Sequence, residues 1–199
     1  INIGADRKQL LRHTGELFRA MQLREEIKGS GLIRTGRVEA GLPPFHVHRS
    51  SKSLPELIQS MLRYSNNFIA NQLFLACGAR QSGYPATWDK GRAALAGFLH
   101  GEMGLGADQA RVEEGSGLSR HNRVTPRAMH AILDRFKPYS HLLRWEKGRL
   151  VKSGTLTGVY SYAGYLPGKE GLDSFVLILN QPANNRDRLL ELLAAIQGR

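Results

Sequence analysis

Cysteine is nearly absent from this chain of 199 residues: Cys77 stands alone. A single thiol excludes an intramolecular disulfide and a paired-thiolate metal site, and within FIANQLFLACGA it reads as a small apolar residue of a packed helix. No apolar run approaches the roughly 18 residues that cross a membrane. No charged-then-apolar leader opens the chain. It starts at Ile1, which reads as a processed product or an excised piece, so the missing leader leaves secretion open. Internal repeats, low-complexity tracts, a phosphate-binding P-loop and a Gly-x-Ser-x-Gly elbow are also missing. Acidic residues are scarce, 17 against 28 lysines and arginines, for a net charge of +11. No block of five or six like charges occurs. The basic residues are scattered through RSSK, RVTPR, RWEKGR and NNRDR, which reads as a solvated basic surface. Nucleic-acid binding would rest on that charge alone, because no recognition-helix or RNA-binding motif accompanies it.

What is present is a folded-protein pattern. Apolar residues make up 41% of a chain long enough for a sizeable core. Leu10, Leu11, Leu17, Phe18 and Met21 recur at helical spacing and predict a helix over 6–22. LIRTGRV can form a short strand or hairpin arm, and Pro43 and Pro44 make GLPPFHVHRSS an extended connector. Ser53, Pro55 and Glu56 form a Ser-x-x-Glu capping box for a helix whose apolar face is Leu57, Met61 and Leu62. Further helices are expected over 67–77, over 88–103 behind Thr87, and from Thr125-Pro126 onward. The stretch 104–124 is glycine-rich and irregular. After residue 147 the period changes, and GRLVKSGTL, VYSYAGYLPG and SFVLILN predict a three-stranded antiparallel meander. Tyr160, Tyr162 and Tyr165 are assigned to sheet and core packing. An amphipathic helix, NRDRLLELLAAIQ, closes the chain and would cover one face of the sheet. The fold class is α+β, a helical region over about 1–147 followed by sheet and final helix over about 148–199.

Three polar clusters carry candidate chemistry: Ser65-Asn66-Asn67, the loop EEGSGLSRHN over 113–122, and Lys152-Ser153-Gly154-Thr155. In the third, glycine within a strand lets another backbone approach closely. An extended peptide could lie antiparallel along that edge, its terminal carboxylate held by Lys152 and nearby hydroxyls. Ser65 and Asn67, two apart at a helix junction, can point into one cleft. The bland alternative is a capped turn, with Asn66 or Asn67 capping the next helix. His46 and His48 share a face of an extended segment but lack further ligands, so no metal site and no cofactor are assigned. The loop 113–122 reads as a tight structural loop beside the site.

Taken together, YSNNFIANQLFL, EGSGLSRHNRVTPRAM and VKSGTLTGVYSYAGYL resemble the D-alanyl-D-alanine carboxypeptidase/endopeptidase group of low-molecular-mass penicillin-binding proteins, peptidase S13-like. The resemblance runs from about residue 53 to the end. It implies part of a β-lactamase/transpeptidase-like fold and the motif triple Ser-x-x-Lys, Ser-x-Asn and Lys-Thr-Gly. By that resemblance Ser65 helps relay a proton to the leaving group, and Asn67 bonds the substrate's peptide carbonyl. Lys152 tunes the relay and attracts the substrate carboxylate. Ser153 stands where threonine is usual, Gly154 follows, and Thr155 offers its hydroxyl to the carboxylate and its backbone N–H to an oxyanion hole. The implied partner is a peptidoglycan stem peptide ending in D-Ala-D-Ala, with β-lactams as inhibitors where the nucleophile is present. The implied setting is periplasmic or extracytoplasmic.

The sequence departs from the pattern at one point that matters. No lysine has a serine three residues before it, so the Ser-x-x-Lys nucleophile motif is absent. The resemblance then implies the C-terminal part of a longer serine peptidase, inactive by itself. It also implies that strands completing the sheet lie elsewhere, which would leave an open edge for self-association. The alternative is a non-catalytic module that binds the stem peptide or scaffolds partners. Glu114 stands where aspartate is common before GSGLSR.

Overall fold

A computed structural model describes residues 7–29, 31–39, 41–44 and 46–197. The chain divides into two compact units, residues 1–49 and 50–199. In the first, helix α1 (Arg7–Arg24) agrees with the predicted helix and runs two residues further. An Arg12–Glu16 ion pair of 2.9 Å joins successive turns of it. Ile33 lies so close to α1 that a Cβ on Gly15 would come within 2.6 Å of it. Residues 31–39 form no strand, contrary to the expectation for LIRTGRV. With Leu32 76% and Val38 87% exposed, that segment has neither a pairing strand nor a buried face to hold an extended ladder.

The second unit opens with α2 (Leu54–Tyr64), capped as its sequence requires: the Ser53 N–H donates to the Glu56 carboxylate at 2.7 Å. Helix α3 (Asn67–Ser82) follows and extends beyond the predicted end at Cys77. Cys77 is exposed on it, not packed. The packed face of α3 is formed instead by Phe74, Gly78 and Ala79. Helix α4 (Trp88–Ala96) starts behind Thr87, whose hydroxyl accepts the Lys90 N–H at 3.3 Å. The expected continuation to residue 103 becomes a π-helical segment, Gly97–Glu102. The wider turn carries Leu99 into a core with Leu105, Ala110 and Ala128. The glycine-rich stretch is not wholly irregular: β1 (Ala110–Arg111) pairs antiparallel with β2 (Arg123–Val124) and closes the base of the loop between them. Thr125 then caps α5 (Pro126–Phe136), accepting the Ala128 N–H at 3.1 Å.

The sheet has four strands where three were expected. The additional strand, β3 (Arg144–Glu146), precedes β4 (Arg149–Leu156), β5 (Val159–Gly168) and β6 (Gly171–Asn180), in the spatial order β3-β4-β5-β6 and antiparallel throughout. Alternation along the strands gives the sheet two apolar faces. Leu150 and Tyr165 meet Leu133 and Leu143 on the α5 side, with Leu62 of α2 packed against them. Leu166 and Phe175 meet Leu190 of α6 (Arg186–Gln197) on the other side, which is the cover expected of the last helix. Tyr165 is fully buried and donates its hydroxyl to the Leu133 carbonyl at 2.5 Å, tying sheet to helix. Burial first, and the Asp134 carboxylate second, push its phenol up to about 12.

Helices α3 and α4 approach closely enough that the two glycines at their crossing are obligatory. A Cβ on Gly78 would lie 2.4 Å from the Gly91 nitrogen, and backbone cannot rotate aside. Gly78→Val is therefore expected to lower unfolding free energy by about 1–3 kcal/mol. Gly101→Ala, with nothing within 4 Å of the added carbon, serves as the control and should leave stability unchanged or slightly raised. Urea melts of both variants check this.

Candidate active site

The junction between α2 and α3 divides its labour among three polar residues. Ser65 takes the left-handed conformation (φ 50°, ψ 48°) that ends α2, its N–H bonding the Met61 carbonyl. A non-glycine residue held there costs about 1–3 kcal/mol and is an arrangement that surrounding structure must impose. Asn66 does the capping: its Oδ1 accepts the Ile69 N–H at 3.0 Å. Ser65 is thus released from the turn, and its Oγ accepts a 2.6 Å hydrogen bond from Lys152 Nζ, 87 residues away. The same ammonium donates to the Ser153 carbonyl at 2.8 Å. Burial, and then the positive charge of Arg186, hold the Lys152 pKa below the ordinary lysine value. A lysine so biased, bonded to a serine hydroxyl, is suited to passing a proton through that hydroxyl. Asn67, the first residue of α3, is exposed and makes no side-chain hydrogen bond among the described residues.

Lys152 sits where β4 loses its outer neighbour. Strand β3 pairs with β4 only as far as Arg144 opposite Val151. Beyond that point, among the described residues, 152–156 pair on one side alone, with β5. That half-paired edge can accept an extended peptide as a further strand. Lys152 and Gly154 fall on the α5 side of the sheet by alternation, and Ser153 and Thr155 on the α6 side. Ser153 is exposed. Thr155 Oγ1 accepts a 2.7 Å bond from Arg186 Nη1, which also donates to the Gly154 carbonyl at 2.7 Å. A Cβ on Gly154 would come 2.5 Å from Ser161 Oγ, its cross-strand partner, so the sheet's own packing already requires glycine here.

The loop 113–122 is organised by one carboxylate. Glu114 accepts from the Ser116 N–H at 2.7 Å, the Ser119 N–H at 3.1 Å, the Asn122 side-chain amide at 2.7 Å, and the Ser116 hydroxyl. Burial by itself would raise its pKa; these donors outweigh burial and hold the carboxyl below the usual range. This supplies a role for the glutamate that replaces the expected aspartate. Asn71 then fastens the loop to α3, its Oδ1 accepting the Gly115 N–H at 2.8 Å and the Ser116 N–H at 3.1 Å. Gly115 lies so close to α3 that a Cβ would be 2.4 Å from the Ala70 carbonyl oxygen. At its far end the loop reaches the β4–β5 turn through Arg120 Nη2, which donates to the Thr157 carbonyl at 2.8 Å. The loop therefore connects the Ser65–Asn67 helix to the strand of Lys152. Sequence reading missed Asn71 and Arg186. Asn71 lies four residues after Asn67, on the same helical face, which is a usable signal; nothing in the sequence around Arg186 points to the strand.

The family model for D-Ala-D-Ala carboxypeptidase 3 (S13) matches residues 11–149. The chain belongs to that S13 family. The matched span begins well before residue 53, the start of the motif resemblance. It includes Ser65, Asn67 and the Glu114 loop, and it stops just short of Lys152. A D-alanyl-D-alanine carboxypeptidase, DacB, of Haemophilus influenzae is 29% identical over 184 residues, covering 80% of this chain and 38% of its own length. The D-alanyl-D-alanine carboxypeptidase of an Actinomadura species is 27% identical over 197 residues, covering 83% of this chain and 36% of that protein. The chain thus spans well under half the length of these relatives. Crystalline penicillin binding protein 4 (dacB) of H. influenzae, complexed with a β-lactam, superimposes with a TM-score of 0.65 at 24% identity, over 90% of this chain and 49% of that one. The α+β architecture is therefore shared with penicillin binding protein 4 over the superimposed part.

Because the folded-state pKa of Glu114 is depressed, its stabilisation of the loop is fully present above the ordinary carboxylate range. It is lost as pH falls through the folded value. Amide exchange at Ser119, whose N–H bonds the Glu114 carboxylate, corrected for intrinsic rates, should speed up on acidification through that region in the native chain. In Glu114→Gln it should be fast and pH-independent. Equal protection of both proteins at neutral pH would count against the hub.

Proposed function

We propose that this chain is part of a serine-type D-Ala-D-Ala carboxypeptidase or endopeptidase acting on peptidoglycan through an acyl-enzyme. The observation that carries the reading is the Lys152 Nζ–Ser65 Oγ bond of 2.6 Å, which unites two motifs 87 residues apart at the open edge of β4. In this reading the substrate's D-Ala-D-Ala end lies as an added strand along residues 152–156. Lys152 and Ser65 relay a proton to the departing D-alanine amine, and Asn67 bonds the peptide carbonyl in front of the exposed start of α3. Ser153 and Thr155 hold the terminal carboxylate, and the Thr155 N–H contributes one donor to the oxyanion. The nucleophile would come from a Ser-x-x-Lys that this sequence does not contain, so the chain alone forms no acyl-enzyme. The substrate's location implies a periplasmic or extracytoplasmic setting, and among the described residues no helix is long and apolar enough to cross a membrane.

Self-association belongs to the same reading. Strand β6 is the outermost strand of its sheet, with a ten-residue edge over Gly171–Asn180. Unpaired edges of that length template pairing with a second chain. Light scattering should find mass rising with concentration, and a monomer at the highest concentration reached would remove this element.

The first test of the enzyme reading is intact mass after incubation with a fluorescent penicillin. No adduct is expected on this chain alone, and one adduct per molecule is expected in a protein that joins it to an upstream Ser-x-x-Lys segment. Labelling of the isolated chain would overturn the missing nucleophile. Failure of the joined protein to label would favour a non-catalytic peptide-binding module.

A further inference from the structure

Arg186 breaks two local rules. It is the first residue of α6, where the helix dipole disfavours a positive charge. Its charge also acts on Lys152, a like charge at the same strand. Such an arrangement is retained where it serves something beyond folding. The neighbouring acid does not relieve it. Asp187 is engaged by the Tyr162 hydroxyl at 2.6 Å, and Tyr162 presents its ring beneath the guanidinium, 4.7 Å from Arg186 Cζ. The result is an arginine stacked on an aromatic platform that is itself oriented by a carboxylate, the build of a positioned recognition group and not of a solvated surface residue. The guanidinium's bonds to the Gly154 carbonyl and to Thr155 Oγ1 both use Nη1. Nε is buried without an acceptor. Among the described residues neither Arg186 nor Lys152 pairs with a carboxylate, so two cations flank residues 152–155 with no anion between them.

We infer that Arg186 is a specificity-determining residue for the C-terminal carboxylate of the bound peptide, reaching that carboxylate beside Thr155 and making the site select a free acid over a neutral end. The inference rests on the peptide-strand reading of the β4 edge proposed above. Three observations meet at one place: a half-paired strand edge that suits an extended peptide, a hydroxyl already aligned by the guanidinium, and a positive charge from two side chains without a counterion. A planar fork is matched to a carboxylate in a way that an ammonium is not. Lys152, committed to Ser65 and the Ser153 carbonyl, is the proton-relay partner in this division, and Arg186 is the carboxylate partner.

The test titrates this chain, followed by NMR, with N-acylated D-Ala-D-Ala and with the same peptide as its C-terminal amide. The native chain should bind the acid about ten- to a hundredfold more tightly than the amide, as loss of a charge-assisted bond implies. Arg186→Ala should bring that ratio close to one by weakening the acid alone, and Arg186→Lys should restore part of it. Thermal melts of both variants register any loosening of α6 separately. If Arg186→Ala weakens acid and amide equally, or leaves the ratio intact, the arginine is a structural staple between α6 and β4 and the inference is overturned, while the peptide site stands. If the native chain binds neither peptide, the peptide-strand reading fails and the inference falls with it.

Discussion

The Lys152–Ser65 hydrogen bond is the contact on which the arrangement of the site depends, and it is short only because apolar packing places its ends. Leu62, three residues before Ser65, lies against the cluster that includes Leu150, two residues before Lys152. The end of α2 is therefore anchored to β4 by apolar packing as well as by the polar contact. The left-handed turn at Ser65 then aims the hydroxyl at the lysine. Burial supplies the energy, since a single hydrogen bond nets only about 1 kcal/mol, and the bond supplies the direction.

From that contact the remaining site residues are placed by relay. Asn66 takes the helix cap, which frees its neighbours. Asn71, one turn further along α3, carries the Glu114 loop. Arg120 fastens the far end of that loop to the β4–β5 turn. On the opposite side of the sheet, Arg186 holds the Thr155 hydroxyl. Each partner is polar and each lies on a different element, so α3, the loop, β4 and α6 are tied to one another by side-chain hydrogen bonds. The early end of β3 leaves this framed edge of β4 unpaired.

The basic composition gains a local meaning from this geometry. Most of the charge is scattered and solvated, as its spacing along the chain implies. Lys152 and Arg186 differ because they converge on one strand without an acid between them. The acids nearby are otherwise engaged: Asp187 by Tyr162, Glu114 by its own loop. A net charge of +11 could not have distinguished these two from the other twenty-six basic residues.

Local chemistry was legible in the sequence. Ser53 with Glu56, Thr87, and Thr125 before Pro126 announced their helices, because a cap bonds groups two or three residues away. The change of period after residue 147 announced the sheet, because side-chain alternation is a property of each strand alone. Ser65, Asn67 and Lys152 were singled out by their kind and order, and folding brings Ser65 and Lys152 within hydrogen-bond reach of each other. What the sequence did not disclose depends on groups distant in the chain. The strand β3 is three residues long and exists only through pairing with β4. The π-helical turn after α4 follows from the burial of Leu99, and the segment around Leu32 lacks the partner a strand needs. Cys77 is exposed although its neighbours in sequence are apolar, since the buried face of α3 carries Phe74, Gly78 and Ala79 and Cys77 lies off it. Asn71 and Arg186 came to lie beside the candidate site only when folding brought a loop 44 residues away and a strand 31 residues away within hydrogen-bond reach of them. Sequence determines which contacts a residue can make with its near neighbours; packing of the whole chain decides which distant groups are there to be met.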